Sequence, residues 1–162
     1  MSHVLPRRAL LTGGATFVIS DAVTFVALLG AAASLRRQGL EWPGAHPSWA
    51  VLGGLTVLLL AASALLSVGR PAALVGVTLL GLLFVGAEAW EWRALVRHGE
   101  GPTADLRHAS LFVVTGLHAL HVLVGAAYAL RVALARGTTS ILPLYWAALD
   151  AAWLGIVLVV YL

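Results

Sequence analysis

Residues Thr115 to Gly125 read TGLHALHVLVG, two histidines three residues apart in a run that is otherwise nearly all apolar. The run continues in both directions, from about His108 to Leu134, with Arg131 the one permanently charged side chain inside it. A helix crossing a hydrocarbon core ~30 Å thick needs about 20 predominantly apolar residues. The stretch is long enough, and a soluble protein would have little to gain from it. Read as a membrane span, it sets the fold of the whole chain.

The composition agrees. The 162 residues are 60% hydrophobic and 10% charged, with a mean hydropathy of +0.95. Soluble domains carry about 25% charged residues. Four further segments resemble the first, giving spans at about 9–35, 48–68, 71–92, 108–134 and 141–162. The expected fold is all-α and integral to the membrane: a five-transmembrane-helix bundle over residues 1–162, a single domain. Gly69 followed by Pro71 in SVGRPAAL marks a tight hairpin between spans two and three, because glycine suits a helix end and proline a helix start. The other connections, within RRQGLEWPGAHP (Arg36–Pro47), RHGEGPTADLRH (Arg97–His108) and ARGTTSILP (Ala135–Pro143), are too short to divide domains. The start of the chain, MSHVLPRR, is not expected to be a cleaved signal, because the apolar run after it is too long.

All ten basic residues are arginine and cluster at span ends. They read as interface anchors rather than a nucleic-acid surface, despite a pI near 10.2. Arginines divide five and five between the two sides, so they leave orientation open. The loop acids Glu41, Glu100 and Asp105 fall on the side opposite the N-terminus and favour a cytoplasmic N-terminus. Trp42, Trp49, Trp90, Trp92 and Trp146 stand towards span ends, where indoles favour the interface; Trp153 is mid-span and needs a hydrogen-bond partner or a lipid-facing position. The chain has no cysteine, which excludes disulfides, iron–sulfur clusters, thiolate zinc and thioether-linked haem.

Six ionisable residues lie inside the spans: Asp21, Glu88, Glu91, His118, His121 and Asp150. Each costs roughly 2.5–3.5 kcal/mol to insert at mid-membrane, so such groups face the bundle interior and find partners. Ser110, His118, His121, Gly125 and Tyr128 share a stripe about 80° wide on span four. Glu88 and Glu91 share a face of span three, and Thr16, Ser20 and Thr24 form a hydroxyl stripe beside Asp21. Asp21, the two histidines and Asp150 fall at one depth. The expectation is one hydrogen-bonded set joining spans one, four and five, with a carboxylate–imidazole pair between spans four and five and Asp21 a further partner. Three readings stay open: structural fasteners, a proton-linked carboxylate, or a metal or haem site. The last is the poorest fit. Both buried rings sit on one helix, whereas a bis-histidine haem takes its ligands from opposite faces of the porphyrin. Two histidines are too few for zinc, and neither Glu-x-x-Glu nor His-x-x-His matches the Glu-x-x-His of di-iron bundles.

Four stretches, in order, resemble subunit III of the haem–copper respiratory oxidases. TFVISDAVTFVALLG resembles that family's first shared helix, with Ser20-Asp21 where Ser-Glu is usual. LLGLLFVGAEAWEWRAL is similar to its Gln-Ala-x-Glu-Tyr helix end, Glu91 matching the glutamate and Glu88 standing in for the glutamine. SLFVVTGLHALHVLVG resembles Thr-Gly-x-His-Gly-x-His-Val through Thr115, Gly116, His118, His121 and Val122, with Ala119 replacing the glycine. LYWAALDAAWLGI is similar to Tyr-Trp-His-x-x-Asp-x-x-Trp through Tyr145, Trp146, Asp150 and Trp153, with Ala147 where histidine is usual. The five-span count resembles a short bacterial form lacking the two N-terminal helices of the seven-span form.

The resemblance implies a subunit without catalytic residues, metal or cofactor of its own. It implies partners: a catalytic subunit I holding haem and copper, other oxidase subunits, and membrane lipids, with bound phospholipid admitted; no nucleic-acid partner is expected, given where the arginines lie. It implies a cytoplasmic N-terminus in a bacterial inner membrane, and support for stability, sustained turnover and proton uptake in aerobic electron transport. Two other roles stay open: the related accessory protein of bacterial nitric-oxide reductases, and a self-contained membrane transporter.

Overall fold

The computed structural model describes residues 7–38, 49–135 and 141–162. These form five helices: α1 (Arg7–Arg37), α2 (Trp49–Val68), α3 (Pro71–Arg97), α4 (Leu106–Ala135) and α5 (Leu142–Ile156), the last continued by a π-helical turn at Val157–Tyr161. All five are long and apolar enough to cross a membrane, and the described residues include no strand. His3, Glu41, Trp42, His46 and Arg136 lie outside the described residues.

The helices end where local chemistry stops them, not where the apolar run does. The expected end of α3 near Trp92 falls short of its actual end at Arg97, because helical hydrogen bonding continues past the last apolar-rich turn. It closes at Gly99, whose φ of +82° is the left-handed conformation glycine adopts freely. The Glu100 N–H then donates to the Leu95 carbonyl and that of Gly99 to Val96, satisfying carbonyls that the helix end leaves bare. α4 begins two residues earlier than expected, because Asp105 caps it: one carboxylate oxygen accepts from the backbone N–H of Arg107 at 2.8 Å and of His108 at 2.9 Å. The other oxygen meets Arg107 Nη2 and His108 Nδ1, both at 3.0 Å. The His108 backbone N–H foremost, with the His108 side chain and the Arg107 backbone, holds the Asp105 carboxyl down to about 2. At the hairpin between α2 and α3, Gly69 has φ +65° and Pro71 opens α3, as the sequence predicts. The π turn ending α5 places the Val159 and Leu162 carbonyls against the Arg36 guanidinium, which donates to both.

α3 packs between α2 and α4, while α5 touches α1, α2 and α4. The centre is aromatic, with Trp146, Trp153 and Phe84 fully buried. Trp146 therefore does not sit at an interface as its place near a span end suggested. It fills the gap left by two glycines: a Cβ on Gly81 would lie 3.3 Å from the Trp146 ring, and one on Gly125 would lie 3.1 Å from it and 2.9 Å from Tyr145. Trp49 and Trp90 are exposed, as expected for span ends.

Candidate functional site

His121 and Asp21 join α4 to α1. The ring nitrogen Nε2 lies 2.8 Å from Asp21 Oδ2, and Nδ1 lies 2.7 Å from the Leu117 carbonyl oxygen. A carbonyl only accepts, so Nδ1 carries a proton. A bare nitrogen facing a bare carboxylate oxygen at that distance would repel it, so a second proton lies between Nε2 and Oδ2. The pair thus holds two protons and no net charge, whether as imidazolium with carboxylate or imidazole with carboxylic acid. Neutrality is what a low-dielectric span favours. Tyr145 ties in α5 by donating its hydroxyl to the His121 carbonyl at 2.9 Å.

His118 is three residues earlier and so points about 60° further round the helix. That rotation takes it away from Asp21 and into the core, where it is fully buried. Its Nε2 is 3.1 Å from the Leu149 carbonyl and must donate to it. Nδ1 meets no hydrogen-bond partner, so the neutral ring with its proton on Nε2 fits the site. Three rings enclose it: Phe84 and Trp153 with centroids at 5.4 Å, and Phe25 at 6.1 Å.

The expected pairing of Asp150 with a histidine is not what the fold produces. Successive helical residues diverge by about 100°, so with Leu149 facing α4, Asp150 turns towards α2. There its Oδ2 accepts from the Ser63 hydroxyl, while Oδ1 has no partner. One turn on, Trp153 Nε1 donates to Thr56 Oγ1 at 2.9 Å, and Thr56 passes its own proton to the Leu52 carbonyl at 2.8 Å. The single set expected from common depth is therefore divided into three links: α1–α4 through Asp21 and His121, α4–α5 through His118 and Tyr145, and α2–α5 through Asp150 and Trp153.

The remaining motif residues lie nearby. Thr115 donates to the Leu111 carbonyl at 2.8 Å and accepts from Trp92 Nε1 at 3.1 Å, linking α3 to α4. Trp92 is thus turned into the bundle rather than to an interface. Gly116 lies against the same indole. Glu88 is buried and Glu91, one turn on, is partly exposed. Ser20 and its hydroxyl neighbours Thr16 and Thr24 are exposed, and Thr24 donates back to the Ser20 carbonyl, so this stripe faces away from the core. Tyr128 is also exposed, because the buried face of α4 is centred to one side of the predicted stripe. Ser63, Thr56 and Thr78, which shares its hydroxyl between the Leu74 and Ala126 carbonyls, were missed. Each is a lone hydroxyl in an apolar helix, a weaker signal of the same kind as the acids. Among the described residues no three His, Asp or Glu side chains gather as metal ligands.

Geometry thus defines a class: an apolar five-helix bundle braced at mid-depth by buried polar links. Comparison with known proteins narrows it. No family model matches the chain. Among curated proteins it is similar to a cytochrome c oxidase subunit 3 of Corynebacterium diphtheriae, 32% identical over 51% of this chain and 45% of the relative. It is also similar to a cytochrome bo(3) ubiquinol oxidase subunit 3 of Pseudomonas aeruginosa, 36% identical over 58% of this chain and 50% of the relative. The chain spans about half the length of the curated relatives it matches. The resemblance to oxidase subunit III read from the four motifs is therefore met by homologues that carry that name.

Proposed function

We propose that this chain is a non-catalytic subunit III of a bacterial haem–copper terminal oxidase. It crosses the inner membrane with its N-terminus in the cytoplasm and packs against the catalytic subunit, which carries haem and copper. Its role is to keep that subunit stable and supplied with protons during sustained turnover. The observation that carries this reading is the Asp21–His121 pair, which joins two of the segments most like the family. Similarity to oxidase subunits 3 supports the oxidase over a nitric-oxide-reductase accessory protein or a transporter. Relatives named for both cytochrome c and ubiquinol oxidases leave the electron donor to the partner subunits.

The buried rings suit support rather than ligation. Both nitrogens of His121 are engaged within the chain, and His118 spends Nε2 on a backbone carbonyl. His121 therefore has no free lone pair for a metal, and the His118 ring, whose Nδ1 is unpartnered, is enclosed by Phe84, Trp153 and Phe25. What the Asp21–His121 pair offers is a shared proton: it shifts between Oδ2 and Nε2 without changing the charge of the pair, and Asp21 is about one-fifth exposed.

The test is turnover by the oxidase carrying His121→Ala in this chain. The initial rate of oxygen reduction should stay within about twofold of wild type, while the number of turnovers before inactivation falls by roughly tenfold. An unchanged lifetime, or an initial rate abolished in an assembled complex, would contradict the proposal.

A further inference from the structure

Glu88 stands at the middle of the buried face of α3 and is 1% exposed, yet neither carboxyl oxygen has a hydrogen-bond partner. Two donors lie beside it, the Trp92 indole and the Thr115 hydroxyl. Both are already committed: the indole N–H goes to Thr115 Oγ1 and the hydroxyl proton to the Leu111 carbonyl. A carboxylate can only accept, and nothing is left to give. A hydroxyl oxygen, however, has two lone pairs. The indole uses one on Thr115, so one acceptor position remains next to Glu88.

A carboxylic acid can use it. The acid has the shape of a glutamine amide, with an O–H where the amide has an N–H. We propose that Glu88 is a proton-binding site: it holds its proton as a neutral acid and donates it to the free lone pair of Thr115 Oγ1. Glu88, Thr115 and Trp92 then form one closed polar link between α3 and α4. Glu91 on the same helix and Tyr161 at the end of α5 are the ionisable groups acting on this site. Both are anionic when ionised, and neither offers a positive charge to a carboxylate. The site is distinct from the Asp21–His121 pair and does not depend on the oxidase reading.

Infrared spectroscopy of the purified full chain at neutral pH tests this. The wild-type-minus-Glu88→Gln difference should contain one carboxylic-acid C=O band. Thr115→Val should move that band to higher frequency, as an acid without an acceptor absorbs. Glu88→Gln should unfold at an equilibrium within about twofold of wild type, and Glu88→Ala should be shifted roughly tenfold towards the unfolded chain. A carboxylate band in place of the acid band would overturn the proposal. So would a Glu88→Gln variant as unstable as Glu88→Ala.

Discussion

At the scale of single residues, hydrogen-bond directionality decides protonation. His121 has a carbonyl on one nitrogen and a carboxylate on the other, so the pair is neutral as a unit and costly to halve. Asp21→Ala and His121→Ala should each lower stability in detergent by about 1–2 kcal/mol. The double variant should be little worse than the poorer single one, because both remove one interaction. Additive losses in a double-mutant cycle would show that the contact carries no coupling. Outside the membrane, Asp105 makes the sharpest pH prediction. Its folded-state value, about 2, lies below its ordinary value of 3.8, so its contribution is complete above that ordinary value and is lost as pH falls towards 2. Asp105→Ala should cost about 1 kcal/mol as a lost helix cap, and its acid unfolding profile should be flatter than wild type over that window.

At the scale of elements, the spans were legible because the membrane demands long apolar runs, and the hairpin at Gly69–Pro71 because its turn chemistry is local. Partner choice was not. Asp21, His118, His121 and Asp150 share a depth, but a one-residue step turns a side chain about 100°, and that step sends Asp150 to α2 rather than to a histidine. Depth can be counted from sequence; helix rotation is fixed only by packing, here by the aromatic centre of Trp146, Trp153 and Phe84. The separateness of the links is itself testable. Ser63→Ala and His121→Ala should destabilise additively within about 0.5 kcal/mol, whereas a single shared set would couple them. At the α4–α5 seam, Gly125→Leu drives a side chain into Tyr145 and Trp146 and should cost about 1–3 kcal/mol by overpacking. Gly86→Ala meets nothing within 4 Å and should change thermal stability by no more than about 0.5 kcal/mol.

At the scale of the whole molecule, five apolar helices hold Thr78, Glu88, Thr115 and His118 inward and leave broad apolar surfaces on α1 and on the outer faces of α3 and α4. Such a bundle is built to live among lipids and other membrane helices. The motif residues were legible as a set, because the order of four segments is hard to imitate. Their division into three links was not, because the partners of His118, Asp150 and Trp153 are a backbone carbonyl and lone hydroxyls, those of Leu149, Ser63 and Thr56, which leave little trace in sequence. The central claim is that the chain works as a subunit of a terminal oxidase. The most direct measurement is purification of the tagged full chain from its native membrane in mild detergent, with identification of the co-purifying chains and a reduced-minus-oxidised haem spectrum. The account predicts a haem-bearing catalytic oxidase subunit in near-stoichiometric amount. A chain that purifies without any haem protein, or with a haem and non-haem-iron nitric-oxide reductase, would contradict it.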